Sequence, residues 1–230
     1  MGNVLVIKRE ARRRRQIRIN IVRCAAALAI LLIGVLIVGK FYLAQKEEIV
    51  LTEGRTMEAL EDIVPGTIPA YYQFDERWRY KIYGDGTMEF NGCGPTCLSM
   101  ILCGLSGETE YDPLTVARLA DDWGYYAKGA GSAWTLMSEG ARKMGLDVQE
   151  VTFDEKHIRR ELEQEKPIIC VVGPGDFTTT GHYIVLCGID DEGMVTVHDP
   201  NSTERSGRTW SLEQLMPQIK NLWSYQIREW

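Results

Sequence analysis

One cysteine in this chain stands in a setting suited to nucleophilic chemistry. Cys93 lies between two glycines in the run Asn91-Gly-Cys-Gly-Pro-Thr96, directly before the apolar stretch 97–103. Proline is favoured in the first turn of a helix, so the pattern predicts a helix over 95–103. The unpaired N–H groups and the dipole at a helix N-terminus lower the pKa of a thiol. Cys93 is therefore a candidate nucleophile, and a structural turn cysteine is an equally open alternative.

A cysteine nucleophile requires an imidazole beside it and a third group that orients the imidazole. The chain has three histidines. His157 lies in a charged helical segment, 154–160, where we expect it to be solvated. His182 follows the glycine-rich loop 173–181 and opens the apolar strand 182–189. Because a polar residue at the mouth of a buried strand is a site candidate, His182 is the candidate general base.

Two predicted strands, 182–189 and 194–199, flank the turn 190–193, and their pairing selects the partner of His182. If the connecting loop has an even length, position 189 lies opposite 194 and position 184 opposite 199. His182 and Asp199 then lie diagonally on one face, with His198 on the other, whereas a three-residue loop would reverse this. We therefore predict a triad in which Cys93 is the nucleophile, His182 the base and acid, and Asp199 the orienting carboxylate.

The remaining cysteines do not match a metal site or a disulfide framework. A structural zinc site needs four ligands, and no second Cys or His pair stands at a usable spacing from Cys93 and Cys97. Four of them lie in apolar stretches and are more simply small buried hydrophobic residues: Cys97, Cys103, Cys170 and Cys187. No metal or other cofactor is implied.

The elements that must position the candidate triad follow from hydrophobic periodicity and from helix start signals. Helices are predicted over 95–103, from Asp112-Pro113 onward, and over 132–144, 154–164 and 211–219. Strands are predicted over 147–153, 167–172, 182–189, 194–199 and 225–229. Helices come first and an antiparallel sheet comes second. This segregation predicts an α+β fold.

The charge of the chain is unevenly distributed. Residues 1–23 hold eight Lys or Arg and one acidic residue, so 18 basic and 31 acidic residues remain in 24–230, a net charge of −13. Phosphate binding needs a basic face. The acidic bulk of the chain therefore argues against nucleic acid as a partner.

The basic arm 1–23 precedes an apolar run that is long enough to cross a membrane. Residues 24–44 carry a single charge, Lys40, and their number is close to the roughly 20 residues that a spanning helix needs. Basic flanks stay on the cytoplasmic side, so we expect a single-pass signal anchor with residues from about 45 onward outside the cell. A cleaved signal peptide and a buried core helix are the alternatives. Residues 45–70 are predicted to form a linker or stalk, and residues 71–230 the folded domain.

Three runs together resemble the papain-like peptidases of cysteine peptidase family thirty-nine, the bacteriocin-leader or double-glycine type, in a stand-alone form. They are GCGPTCLSMIL (92–102), GHYIVLCGID (181–190) and VHDP (197–200). The resemblance implies a papain-like fold, with N-terminal helices that carry the cysteine packed on a sheet that carries the histidine and aspartate. It also implies hydrolysis of peptide bonds.

The resemblance extends to Gln73, in Tyr71-Tyr-Gln-Phe-Asp-Glu-Arg-Trp78, which matches the position of an oxyanion-hole glutamine. Its amide and the N–H of Cys93 would stabilise a tetrahedral oxyanion. In the tightest family pattern this glutamine lies only a few residues before the cysteine, whereas here 20 positions separate the two. An exposed turn glutamine is the alternative.

The bacteriocin-leader peptidases are usually fused to a transporter ATPase, and this chain has no G-x-x-x-x-G-K-[ST] run. We therefore expect no attached ATPase. The expected partners are a peptide or protein substrate and the membrane, through one N-terminal helix, with the catalytic domain outside the cell. Two other functions stay open: amide hydrolysis or acyl transfer on cell-wall peptide by the same triad, and peptide binding without turnover.

Overall fold

The computed structural model describes residues 63–228 and, outside that range, only Asn20 and Gly34. The predicted basic arm 1–23 and membrane anchor 24–44 therefore lie, apart from those two positions, outside the described residues. Among the residues that are described, no helix is both long enough and apolar enough to span a membrane.

A six-stranded antiparallel sheet forms the centre of the described chain, in the strand order β5-β10-β6-β7-β8-β9. Its strands are β5 (Leu146–Glu150), β6 (Ile168–Val172), β7 (His182–Ile189), β8 (Met194–His198), β9 (Thr209–Ser211) and β10 (Ile219–Ile227). Two small hairpins precede it: β1 (Ile82–Tyr83) with β2 (Gly86–Thr87), and β3 (Tyr126–Ala127) with β4 (Gly131–Ser132).

The helices that precede the sheet are α1 (Met88–Asn91), α2 (Cys93–Ser106) and α3 (Pro113–Asp122). A π-helical turn, Leu136–Gly140, leads into α4 (Ala141–Lys143). The later helices are α5 (Glu155–Glu163), α6 (Thr203–Ser206) and α7 (Leu212–Leu215), and α7 continues as the 3-10 turn Met216–Gln218. Helices thus precede most of an antiparallel sheet, as the α+β prediction requires.

The long helix α2 packs across one face of the sheet. Its side chains Leu98 and Ile101 share an apolar core with Ile169 of β6, Val185 of β7 and Trp223 of β10. A second core fills the opposite face, where α5 covers the other side chains of the same strands. Because almost every residue of α2 is buried, the packing holds its first residue in one place relative to the sheet.

Several element boundaries differ from the predicted ones. The helix predicted over 95–103 begins at Cys93 and runs to Ser106, where Gly107 at φ 78° ends it in the left-handed region. The helix predicted over 132–144 is wrong in its first part, because Ser132 pairs with Tyr126 in a hairpin.

The end of the chain departs furthest from prediction. The helix predicted over 211–219 ends as α-helix at Leu215, and Pro217 lies in the tighter turn that follows. The last strand was predicted over 225–229, but β10 starts at Ile219 and lies in the sheet between β5 and β6. Central strands are buried on both faces and do not alternate between apolar and polar residues, so local periodicity does not reveal them.

Candidate active site

Cys93 is the first residue of α2, and its side chain is half-buried. At the positions on either side of it, a side chain larger than that of glycine would clash with neighbouring atoms. A Cβ at Gly92 would lie 2.4 Å from the backbone oxygen of Met88, and a Cβ at Gly94 would lie 2.4 Å from Oγ of Ser132. The start of α2 is therefore packed tightly between α1 and the β4 hairpin.

The side chain of His182 and the backbone N–H groups of Tyr183 and Gly94 lie close enough to the Cys93 thiol to influence its pKa. Burial alone would raise the pKa of Cys93, but the hydrogen bond and charge of His182, together with these N–H groups, lower it below the ordinary value. The arrangement favours a thiolate beside an imidazolium.

His182 opens β7, and its Nε2 lies 2.7 Å from Oδ1 of Asp199. The side chain of His182 is 7% exposed and that of Asp199 is 0% exposed. Burial would lower the pKa of His182, but the Asp199 hydrogen bond and the Cys93 thiolate raise it to about 9. Because Asp199 occupies Nε2, the ring nitrogen left for the thiol is Nδ1.

The register of the β7–β8 hairpin brings His182 and Asp199 together, but the pairing next to the turn differs from the predicted one. The backbone N–H of Asp190 donates to the oxygen of Met194, so only residues 191–193 lie between the paired positions, and Ile189 lies opposite Val195. The predicted pairing of 189 with 194 is therefore wrong.

A β-bulge at Cys187 shifts the register by one residue and so cancels the shift that the three-residue turn introduces. Leu186 lies opposite Val197 and Gly188 opposite Thr196, so Cys187 is an extra residue in β7. Beyond the bulge Val185 lies opposite His198. In this register position 184 corresponds to position 199, as predicted. The end of the hairpin that holds His182 and Asp199 thus has the predicted pairing although the turn does not.

Asp199 is held by more groups than the sequence indicated. Its Oδ2 accepts from Nε of Arg205 at 2.5 Å, its Oδ1 also accepts from the N–H of Asn201, and its own N–H donates to Ser206. Burial would raise the pKa of Asp199, but His182, Arg205 and Asn201 hold it below the ordinary value. Arg205 was not among the site residues predicted from the sequence. Ser202, three residues before it, is an N-cap residue type that signals the start of α6.

Gln73 is a buried residue, 3% exposed, and is not the exposed turn glutamine of the alternative prediction. Its backbone N–H donates to the oxygen of Pro200, which follows Asp199, and its Nε2 donates to the oxygen of Glu89 in α1. The side-chain oxygen is buried and has no hydrogen-bond partner among the described residues. Gln73 therefore joins the segment after Asp199 to the helix that directly precedes Cys93.

The other two histidines lie away from this cluster. His157 pairs with Asp154 on the surface of α5. His198 lies opposite Val185, and its Nδ1 is 3.2 Å from the oxygen of Pro69, where burial lowers its pKa. Neither histidine contacts Cys93.

The remaining described cysteines show the opposite pKa shift from Cys93. Burial raises the pKa of Cys103 to about 11, and it raises the values of Cys97, Cys170 and Cys187 further. Within the described part of the chain Cys93 is thus the one thiol with a lowered pKa, and no group of three or more side chains there is arranged to hold a metal ion.

The sequence profile of the Peptidase_C39 like family matches residues 66–228. The chain belongs to the Peptidase_C39-like family. This confirms the resemblance that the three sequence runs indicated. As a member of this family the chain is a cysteine peptidase with a mixed helix and antiparallel-sheet fold.

Two solved structures are similar to this C39-like peptidase. A putative C39-like peptidase from Bacillus anthracis has 16% identity and a TM-score of 0.48, and the match covers 74% of this chain and 100% of that one. The peptidase domain of Streptococcus ComA, a bi-functional ABC transporter involved in a quorum sensing pathway, has 18% identity and a TM-score of 0.46, covering 65% and 99%. No curated protein matches the chain.

Proposed function

We propose that this C39-like peptidase is anchored in the membrane and hydrolyses peptide bonds outside the cytoplasm, with Cys93, His182 and Asp199 as its catalytic residues. The observation that carries the proposal is the position of His182 between the other two residues: its Nε2 lies 2.7 Å from Oδ1 of Asp199, and its side chain lowers the pKa of the Cys93 thiol. Cys93 is also the one described thiol whose pKa is lowered.

In the first half of the reaction the Cys93 thiolate attacks the carbonyl carbon of the scissile bond. The negative charge that moves to the carbonyl oxygen is stabilised by the N–H of Cys93 and the side-chain amide of Gln73. The imidazolium of His182 then donates its Nδ1 proton to the leaving amine, and the carbon–nitrogen bond breaks. A thioester between Cys93 and the acyl half of the substrate results.

In the second half a water molecule attacks the thioester carbonyl, and His182 accepts a proton from that water. The carbon–sulfur bond breaks, the carboxylic acid leaves and the thiolate–imidazolium pair is restored. Asp199 keeps the same ring orientation through both halves. It also stabilises the imidazolium form without itself taking up a proton.

Replacement of the proposed nucleophile tests this mechanism. Cells that carry the full-length wild-type chain should show new N-termini in their surface proteome, and cells with Cys93→Ala should not. Cys187→Ala is the matched control, because Cys187 is the other half-buried cysteine among the described residues and its thiol has a raised pKa. Wild-type levels of cleavage by Cys93→Ala would disprove the nucleophile assignment.

The same variants separate the proposal from its alternatives. Release of peptides from purified peptidoglycan by wild type and not by Cys93→Ala would instead indicate a cell-wall peptide amidase. A protein that binds peptides without turnover would show no selective reaction of Cys93 with iodoacetamide. We expect Cys93 to react first among the described cysteines, because a thiolate is the reactive form.

The location rests on the basic arm 1–23 and the apolar run 24–44, which together favour an anchor with a cytoplasmic N-terminus. Fusion of alkaline phosphatase to the C-terminus of the full chain should give an active enzyme, since that reporter folds only outside the cytoplasm. A green fluorescent protein fused at the same position should stay dark after export. The reverse result would contradict an extracytoplasmic peptidase.

A further inference from the structure

An open pocket of about 430 Å³ lies on the described domain beside the π-helical turn, within the size range of small-ligand sites. The residues that define this Trp134 pocket are Trp134, Thr135, Ser138, Arg142, Glu150, Asn221 and Trp223. Trp134 is 49% exposed, which is unusual for so large an apolar side chain. The proposed reaction makes no use of any of these residues.

The register of the sheet gives the separation between the Trp134 pocket and the strand that carries His182. Asn221 of β10 lies opposite Val171 of β6, which in turn lies opposite Tyr183 of β7. Neighbouring strands are about 4.8 Å apart, so Asn221 and Tyr183 are separated by about 10 Å. Tyr183 directly follows His182, so the pocket lies two strands, about 10 Å, to the side of the strand that carries the proposed base.

The Trp134 pocket also lies on the same face of the sheet as Cys93. Trp223 belongs to the apolar core that α2 covers. Along the chain, Ser132 directly abuts Gly94, and Trp134 follows two residues later. An extended peptide advances about 3.3 Å per residue, so about three residues of a substrate span the separation between Tyr183 and Asn221.

The chemistry of the lining selects the type of side chain that the pocket accepts. Its charged groups already have partners: Glu150 accepts from the amide of Asn221 at 2.9 Å, and Arg142 donates to the oxygen of Val148 at 2.8 Å. The two charges are opposite, so the pocket has no net charge to attract an ion. Thr135, Arg142 and Glu150 are also exposed, and Trp134 is the large apolar side chain that the lining leaves exposed.

Trp134 is preorganised to receive another ring. Its indole meets Trp223 edge to face, with a centroid separation of 6.0 Å and an interplanar angle of 74°. Trp223 is buried and anchors this pair to β10. A third ring in the pocket would add an aromatic contact and remove apolar surface from water, both of which stabilise a complex.

From this geometry we infer that the Trp134 pocket is a substrate subsite which binds an aromatic side chain about three residues from the cleaved bond. This inference rests on the proposed function for the identity of the ligand as a peptide substrate. The affinity of the pocket for an aromatic group does not depend on turnover. The two parts are tested separately.

The kinetic test uses peptides derived from a cleavage site found with the wild-type chain, with Phe or Ala placed at each of the three positions on either side of the bond. At one position wild type should cleave the Phe peptide about tenfold more efficiently in kcat/KM. Trp134→Ala should lose that preference and leave the Ala peptide unchanged. Phe153→Ala, which removes a 53% exposed aromatic residue elsewhere, should keep it.

Equal loss of kcat/KM for both peptides in Trp134→Ala would overturn the subsite, because it would mean that Trp134 acts through the fold. Retention of the full preference would overturn it as well. If Cys93→Ala still cleaved as wild type does, the proposed function would fail, and that result is distinct from either outcome for Trp134.

The binding test needs no turnover. Full-length protein in detergent micelles is titrated with N-acetylphenylalanine amide or N-acetylalanine amide while the indole N–H signals are followed by NMR. The Trp134 signal, assigned by its absence in Trp134→Phe, should move with the first amide and not with the second. A signal that stays still with both, or moves equally with both, would overturn aromatic binding in the pocket.

Discussion

Nε2 of His182 and Oδ1 of Asp199 lie 2.7 Å apart although 17 positions separate the two residues in the chain. The pair sits where β7 begins and β8 ends, next to the first residue of α2. The charge of Asp199 is one cause of the raised pKa of His182, and His182 is one cause of the lowered pKa of Cys93. Asp199 thus acts on the thiol through the imidazole.

The pH dependence of kcat/KM should report this coupling. The thiolate–imidazolium pair exists above the lowered pKa of Cys93 and below the pKa of His182, about 9, so the alkaline limb should lie near pH 9. Asp199→Asn removes the charge that raises the pKa of His182, and the alkaline limb should move to lower pH by about one unit or more. An alkaline limb that stays near pH 9 in Asp199→Asn would contradict the coupling.

Comparison of two substitutions separates the charge of Asp199 from its hydrogen bond. Asp199→Asn can still accept a hydrogen bond from His182, whereas Asp199→Ala cannot. We expect kcat to fall in both, and to fall further in Asp199→Ala, to a total of roughly 10²–10⁴-fold. Equal kcat values in the two variants would mean that orientation of the ring contributes nothing measurable.

Gln73→Ala should lower kcat by roughly 10²–10³-fold with little change in KM, because an oxyanion donor acts mainly in the transition state. Alkylation of Cys93 by iodoacetamide forms no oxyanion, so its rate should stay close to that of wild type. A parallel fall in the alkylation rate would show instead that Gln73 positions α1 and Cys93 through Glu89.

Arg205→Gln should destabilise the fold and make it more sensitive to acid. The pKa of Asp199 is lowered in the folded state, so its contribution to stability is present above the ordinary Asp value and is lost as pH falls through the folded value. Removal of Arg205 raises the folded pKa, so the contribution shrinks at neutral pH and disappears at a higher pH. The free energy of unfolding should fall by roughly 3 kcal/mol in urea denaturation at pH 7. In a series of measurements at acid pH below the ordinary Asp pKa, the variant should lose its remaining stability at a higher pH than wild type.

Arg208→Gln is the control for Arg205. Arg208 stacks over Trp210 at 3.7 Å on the surface and contacts no buried carboxylate. Its substitution should cost no more than about 1 kcal/mol and should leave the acid sensitivity unchanged. Equal effects of the two substitutions would show that the link to Asp199 does not govern stability.

Gly94→Ala should disrupt the start of α2. The added Cβ would lie 2.4 Å from Oγ and 2.6 Å from Cβ of Ser132, so rotation of the serine side chain alone does not relieve the clash. We expect a loss of about 1–3 kcal/mol in the free energy of unfolding and a slower reaction of Cys93 with iodoacetamide. Gly188→Ala is the matched control, since a Cβ there meets nothing within 4 Å; equal losses would contradict the steric explanation.

The positions of Cys93, His182 and Asp199 could be found from the sequence because each stands at a local boundary. Cys93 precedes an apolar helix that opens with proline, His182 opens an apolar strand, and Asp199 closes the next one. Such boundaries are set by backbone preferences and periodicity, which act over a few neighbouring residues. The α+β order of the elements follows from the same local signals.

The setting of these residues depended on contacts that no local pattern encodes. Arg205 reaches Asp199 only because α6 folds back onto the end of β8, and Gln73 is buried only because its segment runs between Glu89 and Pro200. The Trp134 pocket likewise requires β10 to insert between β5 and β6, which brings Trp223 and Asn221 beside the π-helical turn. The contacts of Gln73 and the Trp134 pocket join segments that lie far apart in the chain, and the contact of Arg205 depends on how the six residues after Asp199 fold back.

The hairpin between β7 and β8 shows what the sequence determines by itself and what the tertiary structure decides. Alternation along the two strands was enough to predict that His182 and Asp199 could share a face. Which face each residue takes was decided by a three-residue turn and a bulge at Cys187, whose register shifts cancel. A slip of one residue reverses every side chain in a strand, so register is set by the packing of both sheet faces against α2 and α5 and not by the alternation itself.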